Sequence, residues 1–211
     1  RYLFYPLHTE PEVSLLVYGR PFVNHIEIIR MLAMCLPADM VLVVKEHPWM
    51  VGKRSMSAYA KMLDIPRVRL ANPTLDAREL IKGAETVAVV TGSVALEAAM
   101  LETPVITFGD CPFNLLPDTM VRRCDDLRRL PEMLRELRGA PTDALALETY
   151  VAAAMETSAS VNLYSVLLAK KNVHSERAGD YQDEIMKLAD HLIGIFNQPP
   201  APRDVAGAAR W

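Results

Sequence analysis

The sequence predicts an α/β protein built on a doubly wound parallel sheet. Two observations lead to that prediction: short apolar segments alternate with segments of helical period, and the apolar segments are continuous instead of alternating with polar residues. Continuous apolar strands are typical of a parallel sheet that helices cover on both faces. Right-handed connections then wind the helices around both faces of one sheet.

Five apolar segments are the predicted strands. They are YLFYPL (2–7), MVLVVKE (40–46), RVRLA (67–71), TVAVVTG (86–92) and PVITFG (104–109), with MVRRC (120–124) as a candidate sixth. The predicted helices between them cover 21–37, 55–65, 76–84 and 93–102. In the first of these, Ile29 and Leu32 belong to an apolar series at three- and four-residue steps, and Pro21 suits a helix start. Ser55 and Asp76 are predicted N-caps.

The remainder of the sequence is predicted to be helical up to a flexible tail. The helices lie at about 125–138, 142–158, 161–171 and 180–197, and Asp180 is the predicted N-cap of the last. The Pro- and Ala-rich segment 198–211 is predicted to be flexible. The sequence opens on Arg1 with a strand already under way, so we expect the C-terminal half of a longer protein.

Composition narrows the function classes. The net charge of −3 argues against non-specific binding to nucleic acid. The three cysteines have no metal-ligand spacing, and Cys35 lies in an apolar helical segment, which indicates a reducing, cytoplasmic compartment. No apolar run approaches the ~18–20 residues that span a bilayer. The apolar segment 151–168 leaves a peripheral contact with the inner membrane open, although packing in a helical bundle explains it better.

Polar residues follow three of the predicted strands. His8 and Glu12 follow the first strand, Lys45-Glu46-His47-Pro48 ends the second, and Thr91-Gly92-Ser93 joins the fourth to a helix. The carboxyl ends of parallel strands meet at one edge of the sheet, where ligands of such folds bind. We therefore expect one binding site that contains all three segments.

The segment Thr91-Gly92-Ser93 has the pattern of an anion site. A glycine at a strand-to-helix turn lets the backbone approach a ligand, and the amides and dipole of the next helix favour a phosphate. The alternative is that Ser93 only caps the helix. Glu97 follows one turn later on the same face and could accept hydrogen bonds from ribose hydroxyls. For this residue the alternative is a solvated surface glutamate.

The residues after the second strand suggest a second contact with the same ligand. Pro48 holds His47 extended, its imidazole can donate to a phosphate or a base carbonyl, and Lys45 adds positive charge. The alternative is an ordinary strand exit with solvated charges. His25 and Glu27, inside the helix 21–37, are interpreted as surface residues.

Three segments together resemble the capsular and surface polysaccharide biosynthesis proteins. They are PLHTEPEVS (6–14), LVVKEHPWM (42–50) and TGSVALEAAMLETPVITFG (91–109), and the resemblance covers about residues 3–122. Proteins of that family are glycosyltransferases of GT-B architecture, among them retaining Kdo transferases that use CMP-Kdo. Related His-Pro and Ser motifs occur in bacterial sialyltransferases, which also use CMP-sugars.

The resemblance implies a role for each segment. It implies that His47, held by Pro48, contacts the donor nucleotide or its phosphate, and that Lys45 and Glu46 line the same pocket. It also implies that Thr91, Gly92 and Ser93 cradle the phosphate and that Glu97 approaches the ribose. His8 and Glu12 are the candidates for catalytic groups near the donor sugar or the acceptor.

The resemblance and the sequence pattern together predict a domain organisation. Residues 1–140 would form a Rossmann-like nucleotide-sugar-binding domain, 141–197 a helical extension packed on it, and 198–211 the flexible tail. The expected partners are a nucleotide-sugar donor, with a CMP-sugar favoured, a saccharide acceptor, an N-terminal GT-B domain that supplies the catalytic carboxylate, and the capsule machinery at the inner membrane. No metal is expected, because no Asp-x-Asp pair follows a strand, and no cofactor is expected.

Three alternatives to this transferase remain open. They are a sugar-nucleotide 2-epimerase, a CDP-glycerol transferase relative, and a non-catalytic component of an assembly or export complex. A hydrolase is not favoured, because Gly92-Ser93 lacks the G-x-S-x-G pattern.

Overall fold

The computed structural model of the protein describes residues 1–161 and 178–197. Six strands form one sheet within these ranges, and every pairing is parallel. They are β1 (Tyr2–Pro6), β2 (Val41–Lys45), β3 (Val68–Ala71), β4 (Thr86–Val89), β5 (Val105–Thr107) and β6 (Val121–Arg123). Their order in the sheet is β3-β2-β1-β4-β5-β6. The predicted doubly wound parallel sheet, including its sixth strand, is confirmed.

Helices lie between the strands and after the last of them. They are α1 (Val13–Val17), α2 (His25–Cys35), α3 (Met56–Leu63), α4 (Ala77–Gly83), α5 (Val94–Met100), α6 (Leu130–Glu136), α7 (Ala144–Thr157) and α8 (Ala178–Phe196), with short 3₁₀ turns at Arg20–Phe22, Pro48–Met50, Pro112–Leu115 and Leu127–Arg129. Helix α1 was not predicted from the sequence, since its five residues are too few for a helical period to stand out.

Capping side chains account for several helix starts. Ser55 accepts a hydrogen bond from Ala58 N and Asp76 accepts one from Arg78 N, so both predicted N-caps are confirmed. The predicted start at Pro21 was wrong, because the side chain of Asn24 caps α2 and the chain before it forms a separate 3₁₀ turn.

The last helix also differs from its predicted start. Helix α8 begins at Ala178, so Asp180 lies inside its first turn and not at the N-cap. The predicted helix over 161–171, apart from residue 161, and the predicted tail over 198–211 lie outside the described residues.

Two apolar clusters cover the sheet, one on each face. Leu3 and Tyr5 of β1 belong to the first cluster, with residues of α2 and α6. Phe4, between them in the sequence, belongs to the second cluster, with residues of α4 and α5. Successive side chains of a strand point to opposite faces, so a strand buried on both faces must be apolar throughout. This is why the strands read as continuous apolar runs.

The chain divides into two units, Arg1–Ala152 and Ala153–Trp211. The first contains the whole sheet, and the described part of the second contains the end of α7 and all of α8. The predicted roles of 1–140 and 141–197 stay predictions. Within the described ranges, no helix combines the length and the apolar character that a bilayer crossing needs.

The strand order places a crevice beside β1. Strand β1 pairs with β2 on one side and with β4 on the other. The chain therefore leaves β1 in one direction, builds β2 and β3, and returns to continue on the opposite side. At such a reversal the loops that follow the two central strands separate, and ligands of doubly wound sheets bind in the gap.

Candidate functional site

A cavity of about 450 Å³ lies at the carboxyl edge of the sheet, beside β1. The segments after β1, β2 and β4 line it together, as the parallel arrangement predicts. All of the predicted site residues are among those that line it: His8, Glu12, Lys45, Glu46, His47, Pro48, Thr91, Gly92, Ser93 and Glu97. The loop after β3 and the first residue of α4 add Leu75, Asp76 and Ala77, of which the sequence singled out only Asp76, as an N-cap and not as a site residue.

The turn between β4 and α5 has two features that favour a ligand. Gly92 has a φ of +109°, which a residue with a side chain rarely adopts. Thr91 is only 3% exposed, and its Oγ1 has no hydrogen-bond partner among the described residues. A buried hydroxyl without a partner is uncommon, because it loses its bonds to water without replacement. Thr91 is also one of the residues that line the cavity, so its unpartnered hydroxyl belongs to a residue of the candidate site.

Ser93 lies at the N-cap position of α5 but does not cap it. Its hydroxyl makes no capping hydrogen bond and donates to Glu97 Oε1 at 3.1 Å. The interpretation of Ser93 as a simple side-chain cap therefore fails. The pair presents a hydroxyl and a carboxylate to the cavity from one face of the helix.

His47 is held in one orientation by its neighbours. It is extended, with φ −66° and ψ 132°, and its Nδ1 accepts from Trp49 N at 3.2 Å across the 3₁₀ turn that Pro48 begins. A neutral imidazole that accepts at Nδ1 carries its proton at Nε2. His47 therefore has one N–H donor that the turn does not use.

Glu46 lines the cavity, but its carboxylate is already occupied. The residue is 4% exposed. Its Oε2 accepts from Arg54 Nε at 2.6 Å and from Tyr59 OH at 2.7 Å, and its Oε1 accepts from His47 N at 2.8 Å. These bonds leave Glu46 a structural partner of the site more than a contact for a ligand.

Lys45 supplies a partly desolvated amine. The residue is 5% exposed, and its Nζ donates to the carbonyl of Glu46 at 3.4 Å. Burial lowers the pKa of Lys45, while the charges of Asp76 and Glu46 act in the opposite direction. An ammonium so placed interacts more strongly with an anion than one in bulk water does.

His8 extends from the end of β1 into the same cavity. Its Nδ1 lies 3.3 Å from Glu12 Oε2, and Thr9 Oγ1 donates to the same oxygen at 3.2 Å. Burial lowers the pKa of His8, and Glu12 only partly offsets it. The imidazole is therefore neutral around pH 7 and can act as a donor or an acceptor.

His25 was wrongly interpreted as a surface residue. It is 3% exposed, its Nδ1 lies 2.6 Å from Tyr5 OH, and its ring stacks on His8 with centroids 5.6 Å apart. A signal was present, because position 25 shares the helical face of Ile28, Ile29 and Leu32, which are all buried. Arg54, Tyr59 and Glu10 were also missed, and nothing in the local sequence distinguishes them.

Metal-binding groups are not gathered at this edge. Over residues 1–161 and 178–197, no three His, Cys, Asp or Glu side chains are grouped as metal ligands are.

Comparison with known proteins gives matches of several kinds. Protein FixF of Sinorhizobium fredii (strain NBRC 101917 / NGR234) is 31% identical over 148 residues, 68% of this chain and 35% of FixF. The chain therefore spans only about a third of that relative.

Two solved structures from Thermosulfurimonas dismutans are similar at lower identity. KpsC as a beta Kdo 2,7 transferase has TM-score 0.48 and 16% identity, covering 65% of this chain and 45% of KpsC. KpsC as a beta Kdo 2,4 transferase has TM-score 0.46 and 17% identity, covering 71% and 51%.

The family match spans most of the described fold. The model of the capsule polysaccharide biosynthesis proteins matches residues 1–154, which contain the six strands and every residue named in the cavity. The chain belongs to the capsule polysaccharide biosynthesis protein family.

Proposed function

We propose that the chain is the nucleotide-sugar-binding domain of a glycosyltransferase that builds capsular or surface polysaccharide. The donor that we favour is a CMP-sugar that carries Kdo or a similar sugar. One observation carries the proposal: residues at the ends of β1, β2 and β4 line one cavity of about 450 Å³, and they include two histidines, a lysine and a threonine whose hydroxyl has no partner among the described residues. The family match supports it, and so does the resemblance of the segments KEHP (45–48) and TGS (91–93) to that family.

The turn at Thr91 and Gly92 is the proposed phosphate contact. The unpartnered Oγ1 of Thr91 can donate to a phosphate oxygen, and Gly92 leaves the backbone open to close approach. Lys45 adds a positive charge to the same cavity, on the opposite side of β1 from this turn. A phosphate between these groups would be neutralised by pre-positioned donors.

The remaining polar groups suit the rest of the donor. His47 offers its unused N–H to the phosphate or to the base. Ser93 and Glu97, already hydrogen-bonded to each other, can bind vicinal hydroxyls such as those of a ribose. His8 and Glu12 are the proposed groups nearest the sugar or the acceptor.

Glycosyl transfer from a CMP-sugar breaks the bond between the anomeric carbon and the phosphate oxygen. The electron pair leaves with CMP, and the acceptor hydroxyl forms the new bond and releases its proton to a base. Hydrogen-bond donors and charges aimed at the leaving phosphate lower the barrier, because they stabilise charge that develops in the transition state. Thr91, Lys45 and His47 are the proposed donors for that charge, and we expect no divalent metal to be required.

The proposed transferase needs a second domain. We propose that an N-terminal domain of GT-B type covers the cavity in the whole protein and supplies the catalytic carboxylate. On that proposal the 211-residue chain binds the donor nucleotide without turning it over.

Calorimetric titration with CMP, CDP and UDP tests the proposal. We expect CMP to bind best. An excess of the chelator EDTA should leave its affinity unchanged, because no divalent metal is expected to take part in binding. Absence of binding by all three nucleotides would overturn the proposed site. Product analysis with a CMP-sugar, a saccharide acceptor and the full-length parent protein then tests the transfer itself. Hydrolysis or epimerisation without transfer would contradict the transferase assignment.

A further inference from the structure

Arg54 lies outside the cavity but contacts two of the segments that line it. Arg54 lies in the loop between the 3₁₀ turn Pro48–Met50 and α3, and its side chain is only 8% exposed. The guanidinium donates through three different nitrogens: Nε to Glu46 Oε2 at 2.6 Å, Nη1 to Glu10 Oε1 at 2.8 Å, and Nη2 to the carbonyl of His8 at 3.1 Å. The rigid fork of an arginine is suited to such a three-way contact.

The contact with Glu46 continues to the backbone of His47. Glu46 Oε1 accepts from His47 N at 2.8 Å, while Tyr59 OH donates to Oε2 at 2.7 Å. One guanidinium therefore bonds directly to the main chain of His8 and, through one carboxylate, to the main chain of His47. The two imidazoles that line the cavity are tied to the same buried cation.

Backbone pairing does not extend to these two histidines. The register between β1 and β2 ends at Pro6 with Lys45, and the ladder continues only to the bond from Leu7 N to the carbonyl of Lys45 at 2.9 Å. Beyond that bond the two segments separate around the cavity. Arg54 bridges them where the sheet itself no longer does.

The two carboxylates beside Arg54 keep its guanidinium charged, and the charge strengthens this bridge. Burial lowers the pKa of Arg54, but the hydrogen bonds to Glu46 and Glu10 and the charges of these two carboxylates together raise it by more. A buried cation with two carboxylate partners keeps its charge, and removal of that cation would leave the buried Glu46 carboxylate without a compensating charge. Such a group holds its neighbours firmly, because any displacement breaks charge-assisted hydrogen bonds.

We infer that Arg54 is a positioning residue of the binding site, which holds His8 and His47 at a fixed spacing around the ligand. Glu46 and Tyr59 act with it as the connection to His47. The inference rests on the proposed function in one respect, namely that a nucleotide is the ligand whose binding needs that spacing. The bridge between the two segments is a property of the protein without any ligand.

The variant Arg54→Lys tests the inference, because a lysine keeps the charge and loses the fork. We expect the Kd for CMP to rise about tenfold, since loss of one or two charge-assisted bonds frees both histidines. The matched control is Arg67→Lys. Arg67 is also partly buried and also makes three hydrogen bonds, to the carbonyls of Ala33, Leu36 and Pro37, but it does not line the cavity. We expect R67K to change the Kd less than about twofold.

Hydrogen exchange gives a second measurement that needs no nucleotide. The amide of His47 should exchange about tenfold faster in R54K than in the wild type, and at the wild-type rate in R67K. If the wild type binds no nucleotide, the proposed function fails while this measurement still decides whether Arg54 holds His47. Should R54K fold and leave both the Kd and the His47 exchange rate within about twofold of wild type, the inference is overturned.

The milder variant Tyr59→Phe decides the matter if R54K does not fold. It removes only the hydroxyl that donates to Glu46 and leaves every charge in place. We expect faster exchange at the His47 amide, by about threefold, with the carbonyl of His8 still bonded to Arg54. An unchanged His47 amide in a folded Y59F protein would count against the connection through Glu46.

Discussion

Gly92 lies directly against the imidazole of His8. A Cβ placed on Gly92 would stand 3.4 Å from His8 Cε1 and 4.0 Å from its Nδ1. The turn after β4 therefore packs on His8, which follows β1. Strands β1 and β4 are neighbours at the point where the strand order of the sheet reverses. This contact forms one wall of the candidate nucleotide cavity.

Replacement of Gly92 by Ala should affect both stability and binding. Its φ of +109° is unfavourable for any residue with a Cβ, so we expect the free energy of unfolding to fall by about 1–3 kcal/mol. The added methyl also reaches His8, so the affinity for CMP should fall. Urea unfolding and calorimetry measure the two effects.

Gly139→Ala is the control for this substitution. Gly139 also has a positive φ, +67°, but a Cβ there would meet nothing within 4 Å. We expect a comparable loss of stability with wild-type affinity for CMP. Equal loss of affinity in both variants would show that backbone strain, and not the contact with His8, is responsible.

Replacement of Thr91 by Val should separate stability from binding. The Oγ1 of Thr91 is buried without a partner, so its removal should leave the free energy of unfolding unchanged or raise it by up to about 1 kcal/mol. The affinity for CMP should fall about tenfold, since the proposed donor to the phosphate is lost.

Thr107→Val is the matched substitution on the neighbouring strand. Thr107 is fully buried, and its Oγ1 donates to Asn114 Oδ1 at 2.8 Å. Loss of that bond should destabilise the protein by about 1–2 kcal/mol without a direct effect on CMP. A T91V protein that is destabilised as much as T107V would mean that the Thr91 hydroxyl has a partner in solution.

Replacement of His47 by Asn should weaken nucleotide binding and spare the fold. The Asn oxygen can still accept from Trp49 N, but the N–H at the far side of the imidazole is lost. We expect the Kd for CMP to rise about tenfold, while the free energy of unfolding changes by less than about 0.5 kcal/mol. Calorimetry and urea unfolding check this. An unaltered Kd in H47N would remove His47 from the site.

Stability should decrease on acidification because of His25. Burial lowers its pKa from 6.5 to about 3, and the charges of His8 and Arg54 act in the same direction. Between these values the unfolded chain binds a proton that the folded protein excludes. The contribution of His25 is therefore complete above pH 6.5 and decreases as the pH falls toward 3, by about 2 kcal/mol at pH 5.

Urea unfolding at pH 7 and at pH 5 measures this effect. His25→Gln retains a partner for Tyr5 OH but does not titrate, so its stability should fall less between the two pH values. If H25Q and the wild type lose the same free energy, the acid sensitivity arises from other groups.

The order of the sheet could not be derived from periodicity alone, although the elements could. Continuous apolar runs identify strands covered on both faces, because each face of β1 contributes to a different core cluster. Short elements such as α1 escape this reasoning, since five residues do not complete two turns. The polar strand ends were predictable as a group, because parallel strands bring their carboxyl ends to one edge.

The role of Glu46 shows the limit of the sequence. Beside His47 it reads as one more polar group of a binding pocket, and its position at the cavity agrees with that prediction. Its carboxylate, however, is bound by Arg54 and Tyr59, which the chain brings in from the following loop and helix. No local pattern marks those two residues, since only their packed positions pair them with Glu46.

The order of apolar and polar residues by itself determined that this chain forms a parallel sheet with polar strand ends on one edge. That information is local, because burial on both faces of a strand requires an apolar side chain at nearly every position. Tertiary structure alone decided the order of the strands in the sheet, that His25 stacks behind His8, and that Arg54 joins the segments of His8 and His47. These outcomes depend on distances between residues far apart in the chain, which form only when both clusters of the core have packed.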